Sequence, residues 1–500
     1  MSNDPYKQFL DRVKEIDASY TVQALLDWDM ETQMPRRAAP YRAEQLALVA
    51  GVMHEKQTAD ELGNLLDQLE REGAADDPAR AANLREVRRD FDRAVKLPGE
   101  LVRAIARESA LAKDAWLKAR SESNFDIFAP HLEKLLDLKR DVAERFGYEA
   151  EPYDALMDEY EPGALSAEVE RLFDAVKAEL VPLVAAIKDA PRQPDLSILE
   201  RDCPVEAQAA FNHTIAEALC FEFDAGRIDV SAHPFCTSMS PMDVRLTTRY
   251  DKNYMPMSLF GIMHETGHGL YEQGLDYTHV GTPMCRAVSL GLHESQSRLW
   301  ENQVGRSRAF WKHFFPKLKQ AFPALADVAL DDWHFAINNV RPSLIRVEAD
   351  EVTYGLHIML RFDLERRMIR NELAVRDIPQ AWNDGMKQLL GITPDSDADG
   401  CLQDIHWSSG TFGYFPTYQL GNLYSAQIFQ AARDALPDFD ERLAAGDVRP
   451  LREWLRENIH RHGQRYRSRE LIKLVTGRDP SPEPYLAYLR GKFKPLYGLA

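Results

Sequence analysis

Met263-His264-Glu265-Thr266-Gly267-His268 is the stretch on which the reading of this chain turns. Two histidines four residues apart, with a glutamate directly after the first, form the pattern H-E-x-x-H. On a helix, residues i and i+4 share one face about one turn apart, so both imidazoles reach a single point. Two neutral imidazoles are half of a tetrahedral metal site, and the adjacent carboxylate is placed to take a proton from water at that site. Two partly buried helix histidines would satisfy the same short pattern, so the motif needs support from the rest of the chain.

That support begins in the flanking sequence. Apolar spacing predicts a helix over 257–273 that stops at Gly274. After a loop containing Gly281-Thr282-Pro283, a second helix carries Val288, Leu292, Leu299 and Trp300. In it, Gly291-Leu292-His293-Glu294-Ser295-Gln296 puts Glu294 26 residues beyond His268. The interval lets the first helix end, turn and send an antiparallel helix back past the metal. Glu294 then completes a His₂Glu set that leaves the fourth position for water. His293 is the rival ligand, but on a helix it points about 100° away from Glu294, which suits packing or support of a ligand.

Helical signals fill the chain before the motif. Asp4 can cap a helix with Pro5 in its first turn, and Leu10, Val13, Ile16 and Tyr20 follow at helical spacing. Residues 41–70 continue the pattern, and 81–97 form a helix ended by Pro98-Gly99. Further helices are expected near 100–120, 126–146, 165–189 and 205–222. Residues 226–231 and 243–250 alternate polar and apolar side chains, which predicts two short strands beside the motif helix. Residues 310–390 read as mostly helical, including Ile345-Arg346-Val347-Glu348-Ala349-Asp350. Residues 391–418 read as a long functional loop, and the end of the chain as helix followed by a Pro-rich tail over 479–484.

Apolar residues make up 45% and charged residues 28%, as in a globular chain. Lys and Arg number 61 against 79 Asp and Glu, and the resulting charge of −18 argues against nucleic-acid or anionic-membrane partners. The N-terminal residues have neither a basic region nor an apolar stretch after it, and no apolar run is long enough to span a bilayer. Five dispersed cysteines without C-x-x-C spacing fit a reducing compartment, so a cytoplasmic location is expected. With no repeat and no clear linker, the chain reads as one catalytic unit over 1–500. Roughly 1–200 would form one helical wall and 201–500 the metal-binding part.

Several other stretches combine residues in ways that packing alone does not require. These are His233-Pro234-Phe235, the D-x-R-x-T pattern at 243–247, the 345–350 segment, and Gly400-Cys401-Leu402-Gln403-Asp404-Ile405-His406-Trp407. Together with H-E-T-G-H at 264–268 and H-E-S-Q at 293–296, they make the chain resemble the carboxypeptidase Taq family of metallocarboxypeptidases over nearly its whole length. Weaker likenesses lie at Trp28-Asp29-Met30-Glu31-Thr32 and Tyr153-Asp154-Ala155-Leu156. The resemblance implies a mainly α, two-lobed fold with a deep groove and a small sheet, similar to neurolysin and angiotensin-converting enzyme. It also implies a homodimer, removal of single residues from peptide C-termini, and one divalent metal per chain: zinc, with cobalt or manganese as alternatives.

These readings combine into one mechanism. His264, His268 and Glu294 hold the metal, and Glu265 is the general base for the attacking water. Tyr414, Tyr418 and His406 are the candidates for holding the oxyanion. An exopeptidase must also recognise a free carboxylate, which a guanidinium fork suits. Arg245 and Arg346 are the candidates, with His233 as a further substrate contact. Two alternatives stand beside this reading. One is an oligopeptidase cutting internal bonds with the same metal site, and the other is a helical binding protein with a vestigial one.

Overall fold

Apolar periodicity and capping residues act together along most of the chain. In the computed structural model, which describes residues 4–73 and 77–499, helices dominate and a single three-stranded sheet interrupts them. The first helix, Pro5–Thr32, starts as expected: the Asp4 side chain accepts the amide of Tyr6. Phe9, Val13 and Ile16 face inward, while Tyr20 is 56% exposed. The helix outruns the small core that it helps to cover, and its middle turns face away. Residues 39–72 form two helices, Ala39–Gln57 and Asp60–Glu72, because the backbone turns extended at Ala59.

Two clusters of buried apolar side chains follow from this layout. The smaller joins Phe9, Val13 and Ile16 to Leu62, Leu66, Leu69, Leu84 and Val87. The larger runs from Leu101 to Tyr497 and encloses the motif helix, Met255–Gly274. That helix is apolar on nearly every side, burying Leu259, Ile262, Met263 and Leu270 among others, as a helix in the centre of a large core must.

The sheet has three strands where two were expected. β1 (Gly226–Val230) and β3 (Asp243–Thr248) pair in parallel, and β2 (Cys236–Ser240) runs antiparallel on the other side of β3. β2 reads Cys-Thr-Ser-Met-Ser, without the alternation that marks a strand, and its pairing with β3 creates it. Both β2 and β3 pack on the motif helix.

Two further expectations are corrected. Residues 345–350 are not helical: only a single 3₁₀ turn, Arg346–Glu348, lies between the helices Leu330–Ile337 and Tyr354–Ile369. Pro342 removes an amide donor and restricts Arg341, and the Asp350 carboxylate takes the amides of Arg341, Val352 and Thr353. The prolines near 482–484 do not form a terminal tail. They open the last helix, Glu483–Tyr497, where a missing amide costs nothing. The loop expected over 391–418 is present, and it ends where Pro416 starts the helix Pro416–Ala435.

Close helix contact sets the site. The helix Leu290–Arg298 returns past the motif helix and also packs on Pro416–Ala435. Glycines make the approach possible. A Cβ at Gly267 would lie 2.6 Å from the Gln296 carbonyl oxygen, and one at Gly421 would lie 2.6 Å from Glu294 Cγ. Ser289 caps the return helix through the amide of Leu292, and buried Glu161 accepts the amide of Gly291.

Candidate metal centre

The two helices bring His264, His268 and Glu294 together. One ligand atom from each lies within 4.8 Å of the others, the sole such His, Cys, Asp or Glu group among the described residues. Glu294 Oε2 lies 3.5 Å from His264 Nε2 and 3.4 Å from His268 Nε2. The donor set fits a divalent cation: two imidazole nitrogens and one carboxylate oxygen. Burial, aided by nearby His293, lowers the His268 pKa to about 3, so that ring is neutral. Burial opposes ionisation of Glu294, but Arg298, His264 and His268 hold it well below the usual carboxylate range.

Outer contacts aim these donors. Arg298 Nε donates to Glu294 Oε1 at 2.7 Å, and the Ser297 hydroxyl donates to Oε2 at 2.8 Å. Glu301 faces His264 Nδ1 at 3.0 Å, which turns Nε2 toward the metal position. Burial would raise the Glu301 pKa, yet His264, Arg298 and Arg306 bring it to about 2. Burial also opposes protonation of His264, but Glu294 and Glu301 outweigh it and raise its pKa. Glu301 lies in a π-helical turn, Leu299–Val304, that continues the return helix. Sequence reasoning missed it. The signal available was its place seven residues after Glu294, on the same face of one helix.

Glu265 is 6% exposed, and burial raises its pKa to about 7. No hydrogen bond occupies its carboxylate among the described residues. A carboxylate poised near neutrality beside the metal position can accept and return a proton.

Four of the other candidates gather in one cluster. The rings of Tyr414 and Tyr418 are 5.3 Å apart, and His406 Nε2 is 3.4 Å from the Tyr418 hydroxyl. The Arg346 guanidinium carbon is 5.1 Å from the Tyr418 ring. Burial lowers the His406 pKa to about 4, so this imidazole is neutral. Arg346 donates to Asp404 through Nε at 3.0 Å and Nη2 at 2.7 Å, and through Nη1 to the Tyr354 hydroxyl. Arg361 also donates to Asp404, at 2.6 Å. The Tyr354 ring in turn lies 4.1 Å from Arg298, which joins this cluster to the metal ligands.

Arg245 and His233 belong to a different group, on the sheet. Arg245 is clamped by Asp243 at 2.9 and 3.0 Å and lies over the Trp28 ring at 4.2 Å. His233 stands exposed between β1 and β2, and its carbonyl accepts the Ser231 hydroxyl. Buried Thr247 bonds Ser231 and both the amide and the carbonyl of Phe235. The two motifs at 233–235 and 243–247 therefore interlock, and Trp28 explains why the stretch near 28–32 accompanies them.

Three candidate metal donors beside a poised glutamate on paired helices are the arrangement a metallopeptidase needs. The model of the carboxypeptidase Taq (M32) metallopeptidase family matches residues 8–493, and the chain belongs to that family. It is 44% identical to thermostable carboxypeptidase 1 of Thermus thermophilus over 504 aligned residues, covering 99% of each chain. Identity to carboxypeptidase 1 of Bacillus subtilis is 38%, covering 98% of each. A crystal structure of an M32 carboxypeptidase from Deinococcus radiodurans superposes with a TM-score of 0.96 at 41% identity, covering 99% of this chain and 100% of that one. A Pyrococcus furiosus carboxypeptidase structure gives 0.95 at 38%, covering 98% and 99%. The chain is a metal-dependent carboxypeptidase, as its motifs implied.

The role of Glu301 can be tested directly. Glu301→Gln should weaken metal binding about 10- to 100-fold, measured by competition with a chelator. Unchanged affinity would show that His264 needs no carboxylate behind it.

Proposed function

We propose that the chain releases single residues from peptide C-termini at a centre made by His264, His268 and Glu294, with Glu265 as general base. The observation that carries this reading is the convergence of the three donors beside a glutamate whose carboxylate no hydrogen bond occupies among the described residues. A divalent cation, zinc by preference and cobalt or manganese as alternatives, supplies Lewis acidity toward the scissile carbonyl and toward water. Glu265 takes the proton of the attacking water and delivers it to the leaving amine. Tyr414 and Tyr418 donate to the developing oxyanion, and neutral His406 orients the Tyr418 hydroxyl. His233 is kept as a substrate contact at the rim, consistent with its exposure.

Charge balance ranks the two arginines. Asp243 engages Arg245 through two hydrogen bonds and neutralises it. Asp404 is shared by Arg346 and Arg361, so that trio carries one net positive charge. We assign the free-carboxylate reader to Arg346, acting with the Tyr354 and Tyr418 hydroxyls, although the residue itself is only 5% exposed. The charge behind those hydroxyls is what attracts a carboxylate into a poorly solvated corner.

The two-lobed groove similar to neurolysin, with residues 1–200 as one wall of a single unit, belongs to the same proposal. Contacts between the two parts support it: Tyr160 packs on Tyr414 with rings 5.0 Å apart, and Trp116 donates to the Leu402 carbonyl at 2.9 Å. No helix among the described residues is long and apolar enough to cross a membrane. All five cysteines are free, which supports a cytoplasmic setting. A homodimer is proposed through the helix Ala39–Gln57, which buries none of its side chains and leaves Tyr41 72% and Leu48 69% exposed.

Three outcomes are expected. Glu265→Gln should retain metal and lose turnover by about 10²- to 10⁴-fold; near-normal turnover of the metal-loaded variant would remove it as base. Arg346→Ala should lower kcat/KM on peptides with a free C-terminus far more than on their amides, while Arg245→Ala affects both alike. Sedimentation should give twice the chain mass, and Leu48→Glu should halve it; a wild-type monomer would end the dimer assignment.

A further inference from the structure

The two metal-ligating histidines are held differently. His264 has a carboxylate behind it, Glu301, at 3.0 Å from Nδ1. His268 Nδ1 is buried, and no hydrogen-bond partner meets it among the described residues. A ligating imidazole almost always borrows its orientation from a hydrogen bond on its second nitrogen. Something else must hold this ring.

A stack of rings supplies the hold. The His293 imidazole lies on the His268 ring with centroids 4.4 Å apart and planes inclined by 13°. The same imidazole lies 5.5 Å from the Tyr271 ring, at 26°. Tyr271 is three residues after His268 on the motif helix, so His293, from the return helix, stacks with two side chains of one helical face. The column continues to His460, 4.9 Å beyond Tyr271.

Every ring behind His268 is anchored. His293 Nε2 is 2.9 Å from Glu272 Oε1. The Tyr271 hydroxyl accepts the Val288 amide at 3.3 Å. His460 Nε2 is 2.9 Å from Gln296 Oε1, and Gly274 leaves room for its ring, since a Cβ there would collide with it. Tyr271 and His460 are fully buried. The column ends in packed protein, so it cannot slide away from the ligand that it supports.

We infer that His293 is a positioning residue for the metal ligand His268, acting through its ring face rather than through a hydrogen bond to it. This rests on the metal-centre reading above. It gives each residue of His293-Glu294-Ser295-Gln296 a separate task. His293 steadies one ligand, Glu294 is another, Ser295 bonds back to the Leu292 carbonyl, and Gln296 holds the far end of the column.

The test is a cobalt titration of metal-free full-length protein, read by the visible absorption of bound cobalt and by chelator competition. His293→Ala should raise the dissociation constant about 10- to 100-fold and shift the cobalt spectrum. His293→Phe keeps the ring and discards the bond to Glu272, and should restore both readouts toward wild type. Thermal unfolding of the metal-free variants separates loss of fold from loss of ligand geometry. Wild-type affinity in His293→Ala overturns the inference. Equal weakening in folded His293→Ala and His293→Phe overturns it too, because the bond to Glu272 would then matter and the ring would not. A wild-type chain that takes up no stoichiometric cobalt defeats the metal-centre reading itself, and that result appears before any variant is made.

Discussion

A buried carboxylate that must stay ionised between two imidazoles is the constraint on which the rest of this structure depends. Removing the charge of Glu294 from water is expensive, and the site balances it with alternating charge along one helical face. Glu294 meets Arg298, Arg298 meets Glu301, and Glu301 meets Arg306 at 3.2 Å. Each member is neutralised by its neighbours, so none is left as an isolated buried charge. The same series orients His264, because Glu301 sits behind its Nδ1.

Such a series works only if two helices nearly touch. That is why glycines stand at 267 and 421, where a side chain would push the return helix off the ligands. It is also why the return helix needs strong end fixation. Ser289 and Glu161 cap its start, and the π turn at its end opens one turn around Glu301. Glu161 is buried, and no ion pair meets it among the described residues. Burial raises its pKa, while Ser468, Ser289 and the Gly291 amide oppose the rise.

How much of this was legible in sequence differs between the ligands and their supports. The candidate triad, which the structure brings together, is readable because the chemistry dictates both residue type and spacing: i and i+4 on one helix, then a carboxylate one helix later. The long helices were readable from their period, and the break at 391–415 from its glycines and acids. Glu301 was not, since it is one of 79 acidic residues and its function depends on a partner 37 residues away in sequence. β2 was not, because its strand character comes from β3. Within the motif at 243–247 only Arg245 is a candidate for binding substrate, while Thr247 and Asp243 make the motif a clasp on the 231–235 turn and on Arg245. Rare residues in a motif signal constraint, and a sequence does not say whether that constraint is contact with substrate or with the chain itself.

Tyr354 links the two halves of the site, and the linkage bears on why this family trims ends. Its ring lies under Arg298, the partner of Glu294, while its hydroxyl takes a hydrogen bond from Arg346. One rigid side chain therefore spaces the metal ligands from the cationic cluster around Asp404. In the proposed reading, cleavage one residue from a free carboxylate is a statement about that spacing. A reader for the carboxylate and a centre for the scissile carbonyl must stand one amino-acid length apart, and neither may drift. Anchoring them through an aromatic ring rather than a flexible chain gives the separation little freedom. Glu365 secures the other side of the cluster by accepting the Trp407 indole, the Gly413 amide and the Tyr153 hydroxyl, which ties down the loop that carries His406 and Tyr414. In that reading, selectivity for chain ends arises from the same requirement as the metal site, which is side chains held by buried, mutually satisfied neighbours.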